Sequence, residues 1–209
     1  VMGSGSGPGG RVGPLAHLEA LRALADERGL KVHMDGARLF NAVVAAGVDA
    51  RRYAATADSV SVCFSKGLGA PVGSAICGSA EFLERARLVR KRLGGWMRQA
   101  GVIASGALHA LEHHVGRLAL DHALARRAAE VLDAVDGIEC PPEEVETNIV
   151  MARITRDDLD APALSARLAE HGVLALPQRE RCLRLVTHMD VGQEDVRRLE
   201  RALGAIAAG

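Results

Sequence analysis

Residues 59–78 read SVSVCFSKGLGAPVGSAICG, which sets one lysine, Lys66, between an alternating apolar run and a glycine-rich turn. An amine at the mouth of a strand becomes nucleophilic where crowding and a nearby cation disfavour its ammonium, and it can then attack a carbonyl. A second polar group ends the run LKVHM: Asp35, with Arg38 three residues beyond it. Asp35 and Lys66 are each followed by glycine, which lets backbone and ligand approach closely. In parallel α/β sheets, ligands sit at the carboxyl ends of strands, where both residues fall. Taken singly, Asp35 reads equally as a helix cap, Arg38 as a surface ion pair and Lys66 as a solvated loop residue. Together they suit Schiff-base chemistry. A carboxylate at a neighbouring strand end can hold a proton on a pyridine nitrogen, and that is what pyridoxal 5′-phosphate requires.

The elements that must position these groups follow from periodicity. Leu15, Leu18, Leu21, Leu24 and Ala25 recur at helical spacing between Pro14 and Gly29. LKVHM reads as a short strand, ARLFNAVVAAG as a helix closing at Gly47, and the runs on both sides of Lys66 as strands. This rhythm predicts a mostly parallel sheet covered by helices. Residues 80–92 form a charged amphipathic helix, and 101–135 one long or broken helix. Beyond Pro141-Pro142 the runs NIVMARI, VLALP and CLRLVT alternate with helices at about 163–171 and 193–207, an α+β pattern whose strands pair antiparallel. The expected division is a flexible or truncated start over 1–13, a partial cofactor-binding α/β domain with a long connecting helix over 14–135, and a small α+β domain over 136–209.

Composition removes several function classes. Twenty-six basic residues balance 26 acidic ones, and aromatics make up only 2%, so a nucleic-acid surface is not expected. No apolar run approaches the roughly 18 residues of a membrane span. Cys63, Cys77, Cys140 and Cys182 are scattered without a C-x-x-C pair, as in a cytoplasmic protein with free thiols. Gly5, Gly7 and Gly10 form a G-x-G-x-x-G, but no strand leads into it, as a dinucleotide fingerprint requires. His109 and His113 stand four apart, a spacing that can bind zinc, yet no third ligand accompanies them and no metal is expected.

Four segments then carry a resemblance: HMDGARLFNAVVAAG (33–47), SKGLGAPVGS (65–74), MRQAG (97–101) and RLVTHMDV (184–191). In this order and spacing they resemble the low-specificity L-threonine aldolases, pyridoxal-phosphate enzymes of fold type I in the β-eliminating lyase group. The resemblance implies the carboxyl-terminal portion of an aminotransferase-like large domain followed by the small domain. It implies Lys66 as the lysine that carries the cofactor and Asp35 as the partner of the pyridine nitrogen. Arg38 and Arg184 would hold the substrate carboxylate, and Arg98 would bind the cofactor phosphate. The implied reaction is retro-aldol cleavage of L-threonine or L-allo-threonine to glycine and acetaldehyde, in a cytoplasmic homo-oligomer (dimer or tetramer). Another 3-hydroxy-amino-acid lyase, such as one preferring phenylserine, is the alternative within the class. A truncated, inert chain that only associates with a partner is the alternative outside it. The family's phosphate turn, ring-stacking histidine and substrate-contacting serine have no counterpart here, and Trp96 stands where the family has glycine.

Overall fold

The computed structural model describes residues 9–208. They form two compact units, one over 13–117 and one over 118–208 onto which 9–12 fold.

The first unit runs α1 (Leu15–Glu27), β1 (His33–Gly36), α2 (Leu39–Ala46), α3 (Ala50–Ala54), β2 (Ser59–Cys63), β3 (Ser74–Gly78), α4 (Ala80–Arg92) and α5 (Gly101–His113). The helices α1 and α2 stop where the sequence supplies glycine: Gly29 and Gly47 take φ of 62° and 64°, a conformation that costs a Cβ-bearing residue about 1–2 kcal/mol. Ser79 starts α4 by accepting the Phe82 N–H on its Oγ at 3.2 Å, a standard cap. β1 pairs parallel with β2, and β2 antiparallel with β3. A parallel connection needs a crossover of about a dozen residues or more, which α2 and α3 supply between β1 and β2. Residues 64–73 contain no helix, so β3 returns directly beside β2. The expected α/β class is present, with a mixed rather than mostly parallel sheet in this unit.

The second unit contains α6 (Leu118–Asp133), β4 (Ile138–Glu139), β5 (Ile149–Ile154), α7 (Ala161–Glu170), β6 (Leu176–Arg179), β7 (Cys182–Val186) and α8 (Gln193–Ala208). Its sheet has the order β4-β5-β7-β6, antiparallel throughout. Val150, Ala152 and Leu183 of the sheet pack with Leu132, Leu164, Leu168, Leu199 and Leu203 of the helices into one continuous core. Each such leucine contributes about 1.5–3 kcal/mol by leaving water. The division read near residue 136 moves to 118, because Ala125, Ala128, Ala129 and Leu132 commit α6 to this core. The helix expected over 101–135 is broken, with residues 114–117 forming the turn between α5 and α6.

Residues 9–12 are tied to this unit, so the flexible start expected over 1–13 does not extend to them. The Gly10 carbonyl accepts the Thr147 hydroxyl at 2.5 Å, and the Val12 N–H donates to Glu146 at 2.6 Å. A Cβ on Gly10 would lie 2.7 Å from Thr147 Oγ1, so this glycine serves close packing. Gly5 and Gly7 of the glycine motif lie outside the described residues. Among the described residues no helix is long and apolar enough to cross a membrane.

Candidate active site

Lys66 sits on a turn that its own backbone closes. Beyond β2, the Phe64 N–H donates to the Gly73 carbonyl at 3.0 Å and the Ala70 N–H to the Phe64 carbonyl at 3.0 Å. Inside that loop the Gly69 N–H donates to the Lys66 carbonyl at 2.9 Å, with Gly69 at φ 71°. Leu68 and Ala70 are buried, while Ser65 and Lys66 are exposed. The apolar residues therefore anchor the turn from below and leave the amine outside. Crowding around the lysine was the expectation; in the structure the Lys66 side chain is exposed.

Asp35 lies on the strand next door. β1 and β2 are in parallel register with Asp35 opposite Ser61 and Gly36 opposite Val62, so Asp35 stands one strand spacing, about 4.8 Å, from β2, whose end at Cys63 leads into the turn that carries Lys66. Asp35 Oδ1 accepts the Ala37 N–H at 3.1 Å, a local turn that fixes the carboxylate. The residue at the cap position of α2 is Arg38, whose carbonyl accepts the N–H groups of Asn41 and Ala42 at 3.1 and 3.3 Å. Asp35 is thus not the cap of that helix. A Cβ on Gly36 would stand 2.7 Å from the Ser61 carbonyl oxygen. The glycine after Asp35 is what allows β1 to lie against β2 there.

Asp35, Arg38 and Lys66 are therefore brought to neighbouring strand ends. Arg98 belongs to the same unit but to the loop between α4 and α5, where it is exposed beside Gln99 at φ 49°. Trp96 in that loop lies under two cations, Arg90 at 5.1 Å and Lys91 at 5.5 Å from the ring centre. Arg184 is in the second unit, on β7 between Met151 and Leu176. Its Nε is buried and has no hydrogen-bond partner among the described residues. Downstream of it, Asn148 Nδ2 donates to the Thr187 carbonyl at 2.7 Å, and Thr187 Oγ1 to the Asp121 carbonyl at 2.6 Å. These buried polar groups hold the end of β7.

Two features escaped the sequence reading. His114 bonds the backbone of the lysine turn, its Nδ1 lying 2.7 Å from the Leu68 carbonyl oxygen. The only sequence signal was a run of histidines that the zinc question drew toward His109 and His113. Those two rings meet at 4.5 Å between centroids, tilted by 50°, and among the described residues no group of three or more acidic, histidine or cysteine side chains could hold a metal ion. The buried Thr147-Asn148 pair was the other, hidden because a polar pair before an apolar run resembles ordinary loop.

Comparison with known proteins bears on this geometry. The model of the beta-eliminating lyase family matches residues 6–155. Low-specificity L-threonine aldolase 1 of Arabidopsis thaliana is 43% identical over 189 residues, covering 90% of this chain and 53% of the relative. The low specificity L-threonine aldolase of Escherichia coli (strain K12) is 38% identical over 187 residues, covering 90% and 54%. This chain therefore spans about half the length of these relatives. The threonine aldolase of Leishmania major shares the fold, with a TM-score of 0.70 at 21% identity over 92% of this chain and 56% of that one.

Proposed function

The chain belongs to the beta-eliminating lyase family, and from that premise we propose that it binds pyridoxal phosphate at Lys66 and cleaves 3-hydroxy amino acids such as L-threonine to glycine and an aldehyde. The observation that carries the reading is the placement of Lys66 and Asp35 at the carboxyl ends of two hydrogen-bonded parallel strands. An amine, a carboxylate and a guanidinium are the donor set that the cofactor and an amino-acid substrate ask for, so these residues fit the group.

When bound, pyridoxal phosphate supplies an electron sink for the pair released when a bond at the substrate Cα breaks. The chain's own residues do the rest. Lys66 Nζ would hold the cofactor covalently, and as an amine it could also carry a proton at the site. The Asp35 carboxylate would keep a proton on the ring nitrogen, and its bond from the Ala37 N–H fixes where that carboxylate stands. Arg38 and Arg184 bind the substrate carboxylate, a planar fork meeting a planar anion. The buried, unpartnered Nε of Arg184 supports this, because a donor left without a bond inside a protein is costly unless a ligand completes it. Holding the carboxylate selects which bond at Cα is broken, so orientation is the arginines' share of catalysis. Arg98 is the proposed phosphate contact. A homo-oligomer is part of the same reading: Leu93, Trp96, Met97 and Val102 leave apolar surface exposed around Arg98, the kind of surface a subunit contact covers.

The test is borohydride reduction of the chain with pyridoxal phosphate, followed by peptide mapping, together with an assay of acetaldehyde release from L-threonine. A reduced pyridoxyl label on Lys66 and its loss in Lys66→Ala are expected. A folded chain that acquires no label would remove the proposal. A label without release of the corresponding aldehyde from any 3-hydroxy amino acid would remove the reaction and leave the cofactor site.

A further inference from the structure

The helix α5 meets the Lys66 turn along one of its faces. Gly106, Ala110 and His114 recur at four-residue spacing, which keeps side chains near a common face of a helix. A Cβ on Gly106 would lie 3.0 and 3.3 Å from the Cδ and Cγ of Pro71, just past the turn. Ala110 is fully buried. At the end of the face, His114 closes the helix by donating its backbone N–H to the Ala110 carbonyl at 2.9 Å. Its ring then reaches the Leu68 carbonyl oxygen at 2.7 Å. A carbonyl only accepts, so Nδ1 carries the proton.

From these contacts we infer that His114 is a positioning residue: its Nδ1–H holds the Leu68 carbonyl, and with it the turn that presents the Lys66 amine. The Leu68 carbonyl and the Gly69 N–H are two ends of one planar peptide unit. His114 grips the oxygen end, and the nitrogen end donates to the carbonyl of Lys66 itself at 2.9 Å. Fixing the peptide plane therefore fixes the backbone from which the lysine side chain departs, and each bond polarises the other. Lys66 gains no burial from its surroundings, so the order of its turn is what limits where its amine can be. The consequence for chemistry rests on the cofactor reading above, while the ordering of the turn does not.

Two variants test it. His114→Leu fills the space without a donor, and His114→Asn restores an N–H. In the cofactor-free chain, hydrogen exchange at the Gly69 and Ala70 amides is expected to quicken about tenfold in His114→Leu, the equivalent of one lost hydrogen bond. It stays close to the parent rate in His114→Asn, and the β2 amides do not change in either. With pyridoxal phosphate and borohydride, labelling of Lys66 slows in His114→Leu and recovers in His114→Asn. Unchanged exchange at Gly69 in His114→Leu overturns the inference, and so does an acceleration spread equally over β2, the mark of a merely structural residue. His114→Ala is read the same way if the leucine variant does not fold. If the parent chain takes no label, the cofactor reading fails, and the exchange rates still decide the role of His114.

Discussion

Of the buried apolar side chains among the described residues, twenty-two belong to the second unit and nine to the first, yet Asp35, Arg38, Lys66 and Arg98 all stand in the first. The second unit closes a four-stranded sheet under three helices around a single core. The first leaves Leu88, Leu93 and Val102 at 62, 81 and 80% exposure and holds its working loop by backbone hydrogen bonds and side-chain contacts. Reactive groups are commonly drawn from the less stable part of a protein, because ligands must reach them and loops must adjust. The two units thus differ in kind: one is organised around a closed core, the other around exposed strand-end loops.

The widest predicted contrast is in the thiols. Cys77 is exposed on β3 of the first unit, while Cys140 is buried in the second. Burial, with Asp133 adding to it, pushes the Cys140 thiol up to about 12. At pH 8 such a thiol is only about one ten-thousandth thiolate, and its burial also keeps reagents out. Cys140 should therefore react with a thiol reagent about a thousandfold more slowly than Cys77 in the native chain. Peptide mapping after timed labelling reads this, and comparable rates would mean that the second unit opens as readily as the first.

Substitution sharpens the comparison energetically. Leu183→Ala empties a fully buried position between β5 and β6 and should cost about 3 kcal/mol, seen as a lower urea midpoint for the second unit. Leu93→Ala, at 81% exposure in the first, should stay within about 0.5 kcal/mol. A large loss at Leu93 would show that its surface is covered in solution.

These contrasts also explain what could be read in the sequence. The antiparallel α+β pattern was legible because NIVMARI and CLRLVT are strongly apolar runs, and they appear as β5 and β7. VLALP was displaced: the strand starts at Leu176 and runs to Arg179, through a register shift between Pro177 and Arg179. Proline lacks the N–H of a regular ladder, and such breaks leave no periodic trace. Asp35 and Lys66 were legible because each combines a strand end with a following glycine. The His114 bond was not, since a contact between residues 46 positions apart depends on how α5 docks. The exposure of Lys66, one of its two sequence readings, was decided only by the turn, which buries Leu68 and Ala70 and leaves the lysine out.

Gly36→Ala attacks the site from inside the sheet. The added Cβ would lie 2.7 Å from the Ser61 carbonyl oxygen. That oxygen is backbone in the neighbouring strand, so β1 itself must shift. A loss of about 2 kcal/mol is expected in the first unit, together with slower labelling of Lys66 by pyridoxal phosphate and borohydride. Unimpaired labelling would mean that the Asp35–Lys66 juxtaposition tolerates a displaced β1, against the reading that strand pairing sets it.

The smallest effect concerns the opposite end of the same strands and depends on pH. Asp58 stands at the entrance to β2 and accepts from Lys31 Nζ at 2.9 Å, the Val32 N–H at 2.9 Å and Arg22 Nη1 at 2.7 Å. Its own N–H donates to the Val32 carbonyl at 2.9 Å, so α1, β1 and β2 meet on one carboxylate. The bond from Lys31, then those from Val32 and Arg22, hold its pKa well below the ordinary 3.8. A carboxylate held low in the folded state stabilises that state at every pH above its unfolded value, and the contribution fades as acid protonates it. Wild type should therefore exceed Asp58→Asn in the thermal midpoint of the first unit at pH 7, by a small margin because the group is open to solvent. The margin should shrink as pH falls below about 4, through the carboxylate range. Circular dichroism melts of both proteins across pH 2–7 test this. A margin that stays constant down to pH 2 would assign the effect to the shape of the side chain, since asparagine keeps an acceptor for the Val32 N–H and loses only the charge. In that case hydrogen-bond geometry, and not the ion cluster, would tie the amino ends of β1 and β2 together.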